Sequence, residues 1–145
     1  MLVRSSCRKI PNNYSASTLK VYVRFIPMAA VLGMIFYLSH QPGDLVQLPQ
    51  FLGADKLLHV IAYGCLAGTF LYALYPFSND TNRAVTATVV VLFCLLYAIS
   101  DEYHQGFIPG RIVSTWDVAA DCFGALLVVG WWYKHEVMKA ASDNS

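Results

Sequence analysis

The sequence predicts an all-α membrane protein: a bundle of four transmembrane helices with a long polar outer loop between helices 3 and 4. Three observations predict this fold. Of the 145 residues, 57% are hydrophobic and only 13% are charged, whereas soluble domains contain about 25% charged residues. The apolar residues are grouped in four long runs, and polar segments separate these runs. Each run is long enough to favour a helix in lipid over a buried strand.

The first apolar run covers residues 21–39 and follows a basic N-terminal tail, residues 1–20. This run is longer than the apolar core of a secretory signal peptide, and no small-residue cleavage site follows it. Arg24 lies near its start, where a long side chain can reach the lipid headgroups. We therefore expect an uncleaved first span.

The second run covers residues 57–75 and contains Gly64 and Gly68 at G-x-x-x-G spacing. Small residues at this spacing let two helices approach closely inside a bilayer. The third run covers residues 84–100 and contains no charged residue. Both runs are close to the roughly 20 residues that a helix needs to cross the hydrocarbon region.

The fourth run covers residues 118–133 and ends in Trp131-Trp132-Tyr133, an aromatic anchor of the kind found at membrane interfaces. The four runs together predict one four-helix transmembrane domain over residues 21–134. The remaining residues, 135–145, are polar and are predicted to form a cytoplasmic C-terminal tail.

Lys and Arg are distributed unevenly between the two sides of this predicted topology. With the N-terminus inside, eight lie on the inner side and two, Lys56 and Arg111, on the outer side, which accounts for all 10. Such a bias predicts that both termini are cytoplasmic and that the first and third loops face outward. The inner basic residues are Arg4, Arg8, Lys9, Lys20, Arg24, Arg83, Lys134 and Lys139.

Polar residues recur at helical spacing beside the two outer loops. Residues three or four apart share a helical face, and a polar face turned toward lipid is costly. We therefore expect these faces to meet in an outward polar pocket, with the stretch 100–117 as its main part. The predicted binding residues are Asp55, Lys56, His59, Tyr63, Asp101, Glu102, Gln105, Arg111, Ser114, Asp117 and Asp121.

Asp121 lies one turn inside the fourth apolar run, where an unpaired carboxylate costs up to about 3 kcal/mol. A buried Asp121 therefore predicts a partner, and Arg111, Lys56 or His59 could provide it. The alternative is that Asp121 lies at headgroup depth, where it is solvated or caps the helix.

Arg111 follows Pro109-Gly110 and could present its planar guanidinium to a phosphate or carboxylate. The alternative for Arg111 is a salt bridge to Glu102 or Asp117. The two roles are compatible if such a bridge opens when an anion binds.

The sequence contains no motif for a metal, a cofactor or a nucleic acid. Cys65, Cys94 and Cys122 each lie inside an apolar run, without C-x-x-C spacing. His59 and His104 have carboxylates near them in the sequence, but no metal-ligand spacing links them. A net charge of +1 gives no reason to expect a nucleic-acid partner.

Several short motifs occur in order along the chain: Ser39-x-Gln41-Pro42, Asp55-Lys56-x-x-His59-x-x-x-Tyr63, Asp101-Glu102-x-x-Gln105, Pro109-Gly110-Arg111, Ser114, Asp117 and Gly124. In this order and spacing they resemble the VanZ-like family of bacterial membrane proteins over about residues 36–130. The resemblance implies a small multi-pass protein of the bacterial cytoplasmic membrane, with a role in the cell envelope. The family's namesake is linked to low-level resistance to the glycopeptide teicoplanin.

Three functional hypotheses follow. The first is that the pocket binds the headgroup of a membrane lipid or a lipid-linked ligand, such as a cell-wall precursor, or a glycopeptide, with Arg111 and Lys56 taking an anionic group. The second is an intramembrane hydrolase or transferase that acts on lipid headgroups by acid–base or metal-assisted chemistry, with His59 or His104 as base and Glu102 as a further catalytic candidate. No recognisable nucleophile supports the second hypothesis. The third is that the polar residues only hold the helices together.

Overall fold

The computed structural model describes residues 19–43, 53–78 and 82–143. Within these ranges it contains four α-helices and no strand. The all-α prediction is therefore confirmed for the described residues, whereas most of the predicted N-terminal tail lies outside them. The helices are α1, Ile26–Ser39; α2, Ala54–Leu74; α3, Arg83–Gln105; and α4, Thr115–Asp143; a short 3-10 helix, Tyr75–Phe77, follows α2.

Proline and glycine set several helix boundaries. Residues 19–23 are helical, but a turn at residues 24–25 separates them from α1. Pro27 explains the interruption, because it lacks an N–H and its ring clashes with the carbonyl four residues earlier. Gly53 precedes α2 with φ of 84°, a conformation that glycine adopts without strain. Pro76 lies in the 3-10 turn that ends α2.

Three segments are long and apolar enough to cross a membrane: Leu19–Ser39, Ala54–Phe77 and Arg83–Gln105. The fourth predicted span lies within α4, which is not among them. Two carboxylates in its first turns and the polar aromatic residues at its end shorten the strongly apolar part of α4. By length and composition, three helices of the described residues could thus span a membrane, and the span at 118–133 stays a prediction.

α3 and α4 extend furthest beyond their predicted ends. α3 continues to Gln105 and α4 begins at Thr115, so residues 106–114 connect them within the polar stretch. α4 also continues to Asp143, through most of the segment predicted as a tail. Residues 134–143 contain neither glycine nor proline, and several of them favour a helix.

The surface of the helices is unusually apolar for a protein in water. Buried apolar side chains from all four helices form one core, including Ile35, Leu66, Ala67, Val90, Cys94 and Ala125. Many large apolar side chains nevertheless lie exposed on the outer faces, including Ile61, Leu92, Leu96, Phe123 and Leu127. Extended exposed apolar surface of this kind marks contact with a membrane or with a partner protein.

α2 and α4 approach most closely at Gly124. A Cβ atom added to Gly124 would lie 2.2 Å from the carbonyl oxygen of Val60, so only glycine fits there. Gly64 and Gly68 also face α4, since added Cβ atoms would lie 3.5 Å and 3.7 Å from Val128. The small residues predicted on α2 therefore do contact a neighbouring helix. The closest approach, however, is at Gly124 on α4 and not at Gly64 or Gly68.

Replacing Gly124 by alanine should separate α2 from α4 and destabilise the folded protein by about 1–3 kcal/mol, because the clash is with rigid backbone. Thermal unfolding in detergent measures this loss. Gly130→Ala is the matched control on the same helix, since an added Cβ meets nothing within 4 Å. It should be neutral or stabilising by about 0.5–1 kcal/mol. Equal thermal stability of the Gly124→Ala and Gly130→Ala variants would contradict the close approach of α2 and α4.

Candidate functional site

The C-terminal ends of α1 and α3 and the N-terminal ends of α2 and α4 lie at the same end of the bundle. Side-chain hydrogen bonds join α1 to α3 and α2 to α4 at this end. We call these four helix ends, together with the connection 106–114, the polar end. The sequence predicted that polar faces would converge beside the two outer loops, and their side chains do meet there.

A buried cluster joins α1 to α3. Ser39 donates its hydroxyl to Asp101 at 2.7 Å. The Gln105 amide donates to the same carboxylate oxygen at 3.1 Å and to the Ser39 hydroxyl at 3.3 Å. All three side chains are buried. Asp101 and Gln105 are one helical turn apart, and both bond Ser39. The predicted polar face of α3 therefore contacts α1.

His59 and Asp121 join α2 to α4. The Nδ1 atom of His59 lies 2.8 Å from Oδ1 of Asp121. Asp121 is 1% exposed, whereas the His59 side chain is 20% exposed. Of the predicted alternatives for Asp121, the structure therefore shows the buried position and His59 as the partner.

Lys56 joins the same two helices nearer the end of the bundle. Its ammonium contacts Asp55 at 2.8 Å and also forms an ion pair with Asp117. An ammonium has three donors, and two of them are used by these contacts. The Lys56 side chain is 38% exposed, so the third donor is accessible from outside.

Arg111 does not form either of its predicted salt bridges among the described residues. It donates instead to the carbonyl oxygens of Leu38, at 2.6 Å, and Gln41, at 3.1 Å. The last carbonyls of a helix lack intrahelical partners and carry partial negative charge, so a guanidinium stabilises them. The alternative of Glu102 or Asp117 as its partner is therefore wrong for this structure.

The loop backbone explains this placement of Arg111. Gly43 donates its N–H to the carbonyl of Pro109 at 3.1 Å. A Cβ atom added to Gly43 would lie 2.0 Å from the carbonyl oxygen of Gly110. Gly110 itself has φ of 74°. The connection 106–114 is thus held directly against the exit of α1, which brings Arg111 to the helix end.

Glu102 of α3 holds the C-terminal end of the connection 106–114. Its buried carboxylate accepts a hydrogen bond from the backbone N–H of Ser114. Ser114 was predicted as a binding residue, and its observed contact uses the main chain. Among the described residues, the Ser114 hydroxyl makes no hydrogen bond to Glu102.

Two residues of the polar end were not among the predicted binding residues. Ser39 is part of the buried cluster, and Nδ1 of His40 lies 3.2 Å from Nε2 of His104. The ring of Phe36 stacks on His104 at 5.2 Å. The Phe36–His40 spacing of four residues places both rings on one helical face. This spacing is the sequence feature from which the position of His40 could have been predicted.

Tyr63 is predicted as a binding residue but forms no hydrogen bond in the described part of the chain. It is 1% exposed, and its hydroxyl is buried without a partner. Its ring lies 6.3 Å from that of Tyr97, whose hydroxyl donates to the carbonyl of Leu32 at 3.1 Å.

Acidic side chains outnumber Lys and Arg at the polar end among the described residues. Among the described residues, two permanent cations, Lys56 and Arg111, oppose a larger set of carboxylates. No three His, Cys, Asp or Glu side chains in residues 19–43, 53–78 and 82–143 are arranged to hold a metal ion. The carboxylates are Asp55, Asp101, Glu102, Asp117 and Asp121.

Ser39→Ala should destabilise the protein by about 1–3 kcal/mol, because it leaves the buried Asp101 without its hydroxyl donor. Thermal unfolding in detergent is the measurement. Ser100→Ala is the control, since Ser100 lies next to Asp101 on α3 but is exposed. A Ser39 variant as stable as the Ser100 variant would show that the cluster contributes nothing.

Comparison with known proteins agrees with this geometry. A family model described as VanZ/LLP1 matches residues 5–138. Searches of curated proteins and of solved structures found no match. The matched region contains all four helices apart from the last residues of α4. The chain belongs to the VanZ/LLP1 family.

Proposed function

We propose that the protein is a multi-pass protein of the bacterial cytoplasmic membrane, within the cell envelope, whose polar end binds the headgroup of a lipid or lipid-linked ligand in the outer leaflet. In this proposal α4 provides the fourth span, both termini are cytoplasmic and the polar end faces outward. A role in glycopeptide resistance is a narrower version of the same proposal, in which the ligand is a lipid-linked cell-wall precursor.

Internal pairing supports α4 as a span. The two carboxylates that interrupt its apolar run, Asp117 and Asp121, contact Lys56 and His59 of α2. Paired carboxylates that face a neighbouring helix do not face lipid. The free-energy cost of placing acidic side chains in a membrane span is therefore reduced. α4 also packs along both α2 and α3, which are long enough to cross the membrane.

The opposite end of the bundle supports the orientation. Arg24 lies 5.0 Å above the ring of Tyr72, and Arg83 lies 3.9 Å from Glu136. These contacts place two of the predicted inner basic residues at the end away from the polar end. Positive residues concentrate on the cytoplasmic side of membrane proteins.

One observation carries the binding proposal: two cations with unused donors lie at the polar end, and exposed apolar side chains surround the connection between α3 and α4. Arg111 uses two of the five guanidinium N–H groups in its described contacts. An anionic headgroup can therefore bind Lys56 and Arg111 without breaking their observed bonds. The exposed side chains are Tyr103, Phe107, Ile112, Val113 and Trp116.

The exposed side chains fix the depth of this site in the proposal. Tyr and Trp prefer the headgroup level of a bilayer, and Phe, Ile and Val prefer the adjacent hydrocarbon. A connection with this composition lies at the interface, beside the headgroups. The two cations are then level with lipid phosphates.

The second candidate function, an intramembrane hydrolase or transferase, is favoured by the His59–Asp121 pair. A carboxylate that holds one imidazole nitrogen leaves the other free to act as a general base. This geometry makes His59 a better base candidate than His104, which contacts His40. No described hydroxyl or thiol lies within hydrogen-bond distance of His59, so a water molecule would serve as nucleophile.

Reporter insertions test the orientation and the fourth span together. We expect an outward signal from a reporter at Gly53 and inward signals from reporters at Asn79 and after the last residue. The reason is that an even number of spans returns the chain to the starting side. Three spans would instead give an outward signal at the C-terminus, and an outward signal at Asn79 would reverse the orientation.

Lipid binding is tested by lipid analysis and native mass spectrometry of the purified protein. Lys56→Gln and Arg111→Gln should each reduce retained anionic or zwitterionic lipid about fivefold, because a basic residue near a lipid surface contributes about 1 kcal/mol. Lys139→Gln is the control, an exposed lysine on the opposite side of the bundle.

Equal lipid retention by all variants at equal folded fraction would contradict the binding proposal. Conversion of a bound lipid to a product, lost in His59→Ala, would instead favour the enzyme.

A further inference from the structure

The Tyr63 hydroxyl lacks a hydrogen-bond partner although it is deeply buried. Tyr63 is 1% exposed, and no described residue bonds to its hydroxyl. A buried polar group without a partner costs about 1–3 kcal/mol, so such groups are rare in folded proteins. The neighbouring Tyr97 shows the usual solution, since its hydroxyl donates to a carbonyl. Tyr63 therefore requires a separate explanation.

The surroundings of this hydroxyl are acidic. Asp121 contacts His59, which lies one helical turn from Tyr63 on α2. Asp101 lies one turn from Tyr97, whose ring centroid is 6.3 Å from that of Tyr63. Side chains of a helix lean toward its N-terminus, so Tyr63 on α2 and Asp121 on α4 lean toward the polar end. Asp101 lies on α3, which runs in the opposite direction, and leans back toward the centre of the bundle. Three helices thus direct polar atoms into one region.

No permanent cation balances these two carboxylates among the described residues. Asp101 accepts hydrogen bonds from Ser39 and Gln105, which are neutral donors. Asp121 contacts only the His59 imidazole, while Lys56 and Arg111 bond to other groups. A protonated His59 supplies one positive charge for the two carboxylates, and buried charge left in excess is strongly unfavourable. A compact cation would provide both the missing charge and a partner for the hydroxyl.

A primary ammonium group fits this region better than a metal ion. An ammonium offers three N–H donors, and two carboxylates and one hydroxyl oxygen offer three acceptors. A bare metal ion requires several ligands in contact at once, and no such group occurs within the described ranges. The His59 side chain is 20% exposed and marks where the region communicates with the outside.

We propose that Tyr63, Asp101 and Asp121 form a subsite for a primary ammonium group, reached past His59. The subsite rests on the proposed function when the amine belongs to a lipid headgroup, whose phosphate would then bind Lys56 or Arg111. The ligand is in that case a zwitterionic amino-lipid. A free small amine has the same ammonium chemistry, so the experiment includes both sources.

Thermal unfolding of the purified full chain, followed by tryptophan fluorescence, tests the subsite with ethanolamine and choline at equal ionic strength. Both probes are cations, but choline has no N–H donor. We expect ethanolamine to raise the unfolding temperature of the wild type and choline to leave it unchanged. Tyr63→Phe should weaken the apparent affinity for ethanolamine about tenfold, since a hydrogen bond to a charged group is lost.

Two tyrosine variants separate a ligand role from a structural one. Without ligand, Tyr63→Phe should be as stable as the wild type or more stable, because it removes an unpartnered hydroxyl. Tyr97→Phe should lose stability and keep the ethanolamine response. The proposal is overturned if choline acts like ethanolamine, if Tyr63→Phe keeps the response, or if Tyr63→Phe without ligand is destabilised.

Nanodiscs identify the source of the amine. Stabilisation by phosphatidylethanolamine over phosphatidylcholine, lost in Tyr63→Phe, supports a headgroup, whereas a response to free ethanolamine alone supports a soluble amine. Equal retention of both lipids, still dependent on Lys56 and Arg111, would overturn the ammonium subsite and leave the proposed function standing. Loss of lipid binding altogether would remove the proposed function instead.

Discussion

The structure depends on one constraint: carboxylates placed among apolar helices must meet donors from neighbouring helices. Asp121 illustrates it, because its carboxylate is almost fully buried and its partner, His59, comes from another helix. Asp101 meets the same requirement through Ser39 of α1. Each of these bonds fixes the rotation and axial position of one helix against another. Apolar contacts with lipid on all sides cannot do this, since lipid is as apolar as the helix surfaces.

The sequence predicted the helices and the polar faces because both depend on spacing along the chain. Asp101 and Gln105, or Lys56 and His59, lie on shared faces for any helix that contains them. The sequence could not predict which face meets which, because that depends on how the helices are aligned. Three partners were open for Asp121, and only the packing of α2 on α4 at Gly124 selects His59.

Arg111 shows a second reason why contacts escape sequence analysis. A salt bridge was one of the two roles predicted for it, because opposite charges were close in the chain. Its observed partners are main-chain oxygens at the end of α1, which any sequence offers equally. The loop conformation at Gly110 and the close approach of Gly43 decide this outcome. Ser39 was missed as a site residue for a related reason, since it ends an apolar run and its partner lies in a distant helix.

A purely structural role accounts for part of the polar end but leaves its charge balance unexplained. Holding helices together requires donors and acceptors in matching numbers, and neutral residues such as Ser39 and Gln105 already serve that purpose. Carboxylates in excess of cations, together with an unpartnered Tyr63 hydroxyl, add a cost that helix packing alone does not offset. Natural proteins keep such costly groups where they act on something else. In the proposed function, the pairs at Lys56 and Asp121 are the rigid support of a site, and the unused donors and acceptors beside them bind a ligand that carries both charges.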